Sequence, residues 1–219
     1  MMSKTVEGEI YHIYNRGVEK RNVFLDDRDR LRFTHGLALF NTPQQFFNAG
    51  RAFSAPLIEV QLQSRGQEKL VEIMAFCLMS NHYHLMLRGL VPDGIKEFMR
   101  KIGTGYTNYF NLKYQRVGSL FQGRYKAKPV LEEQHFIYLP FYIHTNPLGA
   151  DDRSSTSIKK LEEYRWSSFH DYIGKPNFPY VLDQTFLNQF FETPERHYRD
   201  TIAWLSGDSA QEIGSLAFD

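Results

Sequence analysis

The fold turns on the stretch Val71–Gly89, VEIMAFCLMSNHYHLMLRG. Its first half, VEIMAFCLM, is a near-continuous apolar run of strand length. Its second half, HYHLMLRG, reads as another short strand, and Ser80-Asn81 between them suits a two-residue turn. The stretch is therefore a β-hairpin, and the other elements are placed around it. On a strand, side chains two apart share a face, so His82 and His84 project together while Tyr83 points the other way, into the core. Two imidazoles at that spacing can share a divalent cation, although the pair taken alone more often has a structural or incidental role.

Upstream of the hairpin, the alternation in EGEIYHIYNRG gives a first strand ended by Asn15-Arg16-Gly17. LDDRDRLRFTHGLALFN follows as an amphipathic helix that Asp26 or Asp27 can cap. Residues 41–64, with Pro43 and Pro56, read as a surface excursion. Downstream, Asp93–Tyr114 reads as a longer helix in which Gly103 and Gly105 either weaken the helix or pack tightly. Tyr125–Val130 supplies a fourth strand. The order strand, helix, strand, strand, helix, strand predicts an α+β, ferredoxin-like (RRM-like) antiparallel four-stranded sheet with helices on one face. A third helical stretch, LEEQHFIYLPFYIHTNP, is stopped by Pro147, and Pro140 inside it predicts a kink or a helix that effectively starts there. The polar connector GADDRSSTS divides the expected domains, a catalytic unit over 1–150 and a C-terminal helical extension over 151–219.

Composition sets the class. The 219 residues are 42% hydrophobic and 23% charged, with 18 Phe and 13 Tyr, an ordinary globular balance with an aromatic bias. The single cysteine, Cys77, excludes a disulfide framework and a Cys-based zinc ribbon, and reads as a small buried hydrophobe in a reducing compartment. With no signal-like or membrane-length apolar run, the expectation is a cytoplasmic protein without a membrane partner. The net charge of +1 hides an uneven distribution: between Lys96 and Lys128 there are eight basic residues and one acid, Glu97. Interleaved with Tyr106, Tyr109, Phe110, Tyr114, Phe121 and Tyr125, these cations have the ingredients for single-stranded nucleic acid, or simply form a solvated helix face over core aromatics.

A metal on His82 and His84 needs further ligands, and the third helix offers one. Tyr138, Tyr142 and Asn146 lie at i, i+4 and i+8 on a common face. An ion held by the two histidines and the Asn146 amide oxygen leaves positions open for a phosphate oxygen, with Tyr142 one turn away as a nucleophile. His144 falls about 200° round the helix from Tyr142 and is assigned to packing or DNA contact. His12 on the first strand receives no role.

The ordered set LMSNHYHLML, GSLFQGRYKAKPV, FYIHTNP and YRWSSFHDY, preceded by YHIYNRGVEKRNVFLDDRDRLRF, resembles the single-tyrosine HUH transposases, in particular the REP-associated tyrosine transposase and IS200-like types. The resemblance spans roughly residues 8–172. It implies that His82, His84 and Asn146 are metal ligands for Mg²⁺ or Mn²⁺ and that Tyr142 is the nucleophile. It further implies cutting of single-stranded DNA through a 5′-phosphotyrosine intermediate, with hairpin-forming repeats as partner and a monomer or homodimer as the working unit. Arg16, Arg21, Arg124, Lys126 and Lys128 are the candidate phosphate contacts. The alternative is a non-catalytic single-stranded nucleic-acid-binding module on the same ferredoxin-like sheet.

Overall fold

The computed structural model describes residues 5–44, 66, 68–149, 152, 154–182 and 193–207. The expected excursion at 41–64 lies mostly outside the described residues. Four strands, β1 (Ile10–Arg16), β2 (Val71–Leu78), β3 (His82–Gly89) and β4 (Lys126–Pro129), form one antiparallel sheet in the order β2-β3-β1-β4. The backbone N–H of Met79 bonds the His82 carbonyl at 2.9 Å, which leaves Ser80-Asn81 as the hairpin turn expected from the sequence. Helices α1 (Asp27–Leu39) and α2 (Gly94–Lys113) follow β1 and β3, so the connectivity is the ferredoxin-like one.

The α1–α2 face holds the core. Phe33 of α1 packs on Tyr83 with ring centroids 4.9 Å apart, and Tyr106 of α2 closes on Phe33 at 5.1 Å. Tyr83 is 2% exposed, as its position between two outward histidines requires. Asp26 caps α1 in a reciprocal capping box with Asp29. Buried Asp29 also accepts hydrogen bonds from Lys113 (2.7 Å), Tyr109 (2.9 Å) and Tyr114 (2.8 Å), which ties the end of α2 to the start of α1. Three members of the basic and aromatic segment are therefore committed to the fold, while Tyr106 and Phe110 are buried in the core.

The other face of the sheet is covered by α3 (Glu133–Thr145), which runs unbroken through Pro140. The expected start near Pro140 is thus not observed. Proline deletes one backbone hydrogen bond, and the burial of every residue from Leu139 to Thr145 offsets that loss.

Beyond α3 come α4 (Ile158–Glu163), α5 (Phe169–Tyr172) and α6 (Pro194–Ser206). The outer edge of β2 is not left open. Leu78 N–H bonds the Trp166 carbonyl (2.9 Å), Ser168 N–H bonds the Phe76 carbonyl (3.0 Å), and the Ser168 hydroxyl accepts from Phe76 N–H (2.9 Å). This cover satisfies an edge that would otherwise invite pairing with another chain, and it accounts for β2 being buried along its whole length.

Candidate active site

The register of the sheet gathers the polar residues. Across β1 and β3, Tyr14 pairs with His84 and Arg16 with His82; across β1 and β4, His12 pairs with Lys128 and Tyr14 with Lys126. Residues directly opposite in antiparallel strands share a face. The two histidines, His12, Arg16, Lys126 and Lys128 therefore project together, on the side covered by α3. The Lys128 ammonium lies 5.7 Å from the centre of the Tyr14 ring.

Helix α3 sets Tyr142 over this face. Its ring stands edge-on to His84 at 5.6 Å and to His12 at 5.8 Å between centroids. One turn further on, Asn146 donates from Nδ2 to the Tyr142 carbonyl (3.2 Å), and its side chain also hydrogen-bonds His82. Tyr138, the other tyrosine on the expected helical stripe, instead stacks on Trp204 of α6 at 5.3 Å. His144 is fully buried, with Nε2 2.7 Å from the Ser168 hydroxyl, in the packing role expected for it.

Each histidine of the pair is held through the same ring atom. His82 Nδ1 lies 2.5 Å from the Asn81 side-chain oxygen, and His84 Nδ1 lies 2.7 Å from His12 Nε2. Both rings are thus anchored through Nδ1, and the Asn146 side chain adds a second contact to His82. Burial and the Arg16 charge push His82 down to about 4, against a smaller raising effect of Asn146. Burial, then His12, His82 and Arg16, hold His84 well below the ordinary histidine range. Both rings are neutral near pH 7, the state in which imidazole binds a metal.

These residues fit a divalent ion. Among the described residues, no three His, Cys, Asp or Glu side chains are grouped to hold one, so a protein site depends on the Asn146 amide oxygen beside the two imidazoles. With Asn146 Nδ2 committed to the Tyr142 carbonyl, its Oδ1 is the atom that meets His82. Two nitrogens and one oxygen leave the remaining positions to water or phosphate.

Not every sequence-derived candidate joins the site. Arg21 pairs with Glu19 at 2.9 Å and with the Val18 carbonyl in the turn after β1. Arg124 lines a cavity that also includes Tyr83, from the opposite face of the sheet. The residue that sequence reasoning missed is His12. Its signal was the alternation of IYHIYNR, which places His12 on the same face as Tyr14 and Arg16, but strand pairing is needed to bring it to His84.

A buried, neutral His-x-His pair on the central hairpin, beneath a helix that presents a tyrosine and an asparagine one turn apart, defines a ferredoxin-like α+β protein with an enzyme-like polar site. The family model described as "Transposase IS200 like" matches residues 55–146, a segment that contains His82, His84, Tyr142 and Asn146. Over that segment the chain is similar to the IS200-like transposases. It is also similar in fold to a solved structure of a REP-associated tyrosine transposase bound to a REP hairpin. That likeness has a TM-score of 0.51 and 13% identity, and covers 84% of this chain and 93% of the other. A search of curated proteins finds no match. Among the described residues, no helix is long and apolar enough to cross a membrane.

Proposed function

We propose that this protein is a metal-dependent single-stranded DNA endonuclease and strand transferase with Tyr142 as its nucleophile. The observation that carries the reading is the placement of the Tyr142 ring against His84, with Asn146 one turn on against His82. In the forward step the Tyr142 phenol loses its proton and its oxygen attacks the scissile phosphorus. The P–O3′ bond breaks, and the 3′ oxygen takes up a proton and leaves as a free hydroxyl. Attack by a 3′-hydroxyl on the phosphotyrosine reverses the step and rejoins DNA.

A divalent ion held by His82, His84 and Asn146 supplies charge neutralisation at the phosphate. The chain's own residues do the rest. Arg16, Lys126 and Lys128 bring cationic side chains to the same face for the flanking phosphates. Asn81 and His12 hold the two imidazoles in the tautomer that presents Nε2. The hairpin bound in the similar solved structure supports hairpin-forming DNA as this chain's partner.

The test is incubation with single-stranded hairpin oligonucleotides and Mn²⁺, read as a denaturant-resistant protein–DNA adduct mapped by mass spectrometry. We expect the adduct on Tyr142. Tyr142→Phe abolishes it while hairpin binding persists. An adduct that survives in Tyr142→Phe, or equal activity in chelator, overturns the nucleophile or the metal respectively. Hairpin binding with no adduct under any condition identifies a binding module instead.

A further inference from the structure

The segment Tyr164–Tyr172, YRWSSFHDY, follows α3 in the chain and supplies no residue to the proposed site. It runs along the outer edge of β2 and is bonded to every second residue there. Leu78 N–H donates to the Trp166 carbonyl (2.9 Å), and the Tyr172 hydroxyl donates to the Met74 carbonyl (2.8 Å). Between them, Phe76 N–H donates to the Ser168 hydroxyl (2.9 Å) and the Phe76 carbonyl accepts from Ser168 N–H (3.0 Å). On an edge strand alternate residues turn their backbone groups outward, so these three are the ones a neighbouring segment can grip.

The anchored segment holds one side chain of α3, that of His144. Its Nε2 lies 2.7 Å from the Ser168 hydroxyl, and its ring stands edge-on to Tyr172 at 4.6 Å between centroids. His144, Ser168 and Tyr172 are all buried. One hydroxyl therefore bonds both the backbone of β2 and a side chain of α3. On β2, the residue after Phe76 is Cys77, which pairs directly with His84 across to β3. The hairpin that carries the histidine pair and the helix that carries Tyr142 and Asn146 thus meet at Ser168. An apolar ring could fill the same slot, whereas a buried hydrogen bond between two side chains also specifies distance and direction.

The direction matters because of where His144 stands on the helix. It is about 200° round from Tyr142, while Asn146 is only about 40° round from Tyr142. Fixing His144 on one side therefore fixes the rotation of α3 about its axis, and with it the position of the two site residues on the other. A rotation of about 10° moves a tyrosine hydroxyl by about 1 Å, enough to lower the rate of a positioned attack by about a hundredfold. Pro140 adds to the need for an outside anchor, since it removes one backbone hydrogen bond that would tie this part of α3 to the preceding turn. We propose that Ser168 and Tyr172 are positioning residues which, through His144, set the rotation of α3 and so hold Tyr142 and Asn146 over His84 and His82. The inference rests on the reading of Tyr142 as nucleophile and adds to it residues that touch neither metal nor DNA.

The test is the rate of adduct formation with a saturating hairpin oligonucleotide and Mn²⁺, with hairpin binding and the melting transition measured alongside. His144→Phe keeps a ring in the slot and loses the bond to Ser168, whereas His144→Gln returns a hydrogen-bonding nitrogen close to the place of Nε2. We expect His144→Phe to fold, to bind the hairpin as the unsubstituted protein does, and to form the adduct about ten- to a hundredfold more slowly, with His144→Gln recovering most of the rate. Ser168→Ala should slow the adduct to a similar degree, and combining it with His144→Phe should slow it no further, since both remove the same bond. A folded His144→Phe with an unchanged rate, no recovery in His144→Gln, or losses that add in the double variant overturns this inference and leaves Tyr142 as the nucleophile. Tyr172→Phe, which keeps the ring and loses only the bond to Met74, decides the matter if those variants fail to fold: a slower adduct at equal hairpin binding supports the linkage, and an unchanged rate overturns it. Absence of any adduct from the unsubstituted protein overturns the reading of Tyr142 and this inference with it.

Discussion

At the residue scale, the site rests on how each histidine is held. A ring that binds a metal through Nε2 must carry its proton on Nδ1, and a partner at Nδ1 fixes both the tautomer and the plane of the ring. His12 is that partner for His84, 2.7 Å away and fully buried. His12→Phe keeps a ring of similar size and removes the acceptor. It should weaken Mn²⁺ binding, measured by calorimetric titration of the DNA-free protein, by about ten- to a hundredfold. Unchanged affinity would show that His84 is oriented by packing alone. Tyr138→Phe is the matching control: because the Tyr138 ring stacks on Trp204 and not on the histidines, adduct yield should stay at the level of the unsubstituted protein. The sequence made His82, His84, Tyr142 and Asn146 legible because each stands in a short motif with its own spacing. His12 was not legible in that way, because its partner lies 72 residues along the chain and meets it only through strand pairing.

At the scale of the element, α2 separates two uses of similar residues. Gly105→Ala places a methyl group 2.7 Å from the Phe40 ring and should destabilise the protein by about 1–3 kcal/mol in urea titration. Gly103→Ala meets open space and should stabilise it by about 0.5–1 kcal/mol, the ordinary helix preference for alanine. Opposite signs two residues apart distinguish a packing glycine from one beside open space; equal signs would contradict the assignment. The same helix shows why a basic and aromatic segment is a weak signal for nucleic acid. Lys113, Tyr109 and Tyr114 are spent on the buried Asp29 carboxylate, which lies 80 to 85 residues upstream. Local sequence records that these side chains can bind phosphates and bases, and says nothing of an internal competitor. Helix α3 teaches a related point. Pro140 predicts a kink or a late start from local chemistry alone, yet the burial of Leu139–Thr145 carries the helix through it.

At the scale of the molecule, the strand and helix order was readable because each element announces itself by its own period, and the hairpin at Val71–Gly89 anchors the rest. What local pattern could not show is that Trp166–Ser168 close the edge of β2, or that two buried histidines meet between α3 and α6. His197 stacks on Phe141 at 4.8 Å, and burial pushes it down to about 3; His144, beside it at 5.6 Å, is also held well below its ordinary range by burial. A buried histidine of this kind stays neutral in the folded protein while the unfolded chain takes up a proton below about 6.5. Its contribution to stability is therefore fully present above about pH 6.5 and is lost as pH falls, for His197 through a window that closes near 3. Each such histidine adds a slope of about 1.4 kcal/mol per pH unit inside its window. The melting temperature should fall steadily from pH 6.5 to pH 4. In His197→Phe, which keeps the stack on Phe141 and removes the titrating group, that fall should be shallower by the share of one proton. An identical slope in the variant would mean that His197 takes up its proton without unfolding, and that the acid sensitivity lies with His144 and the histidines of the sheet.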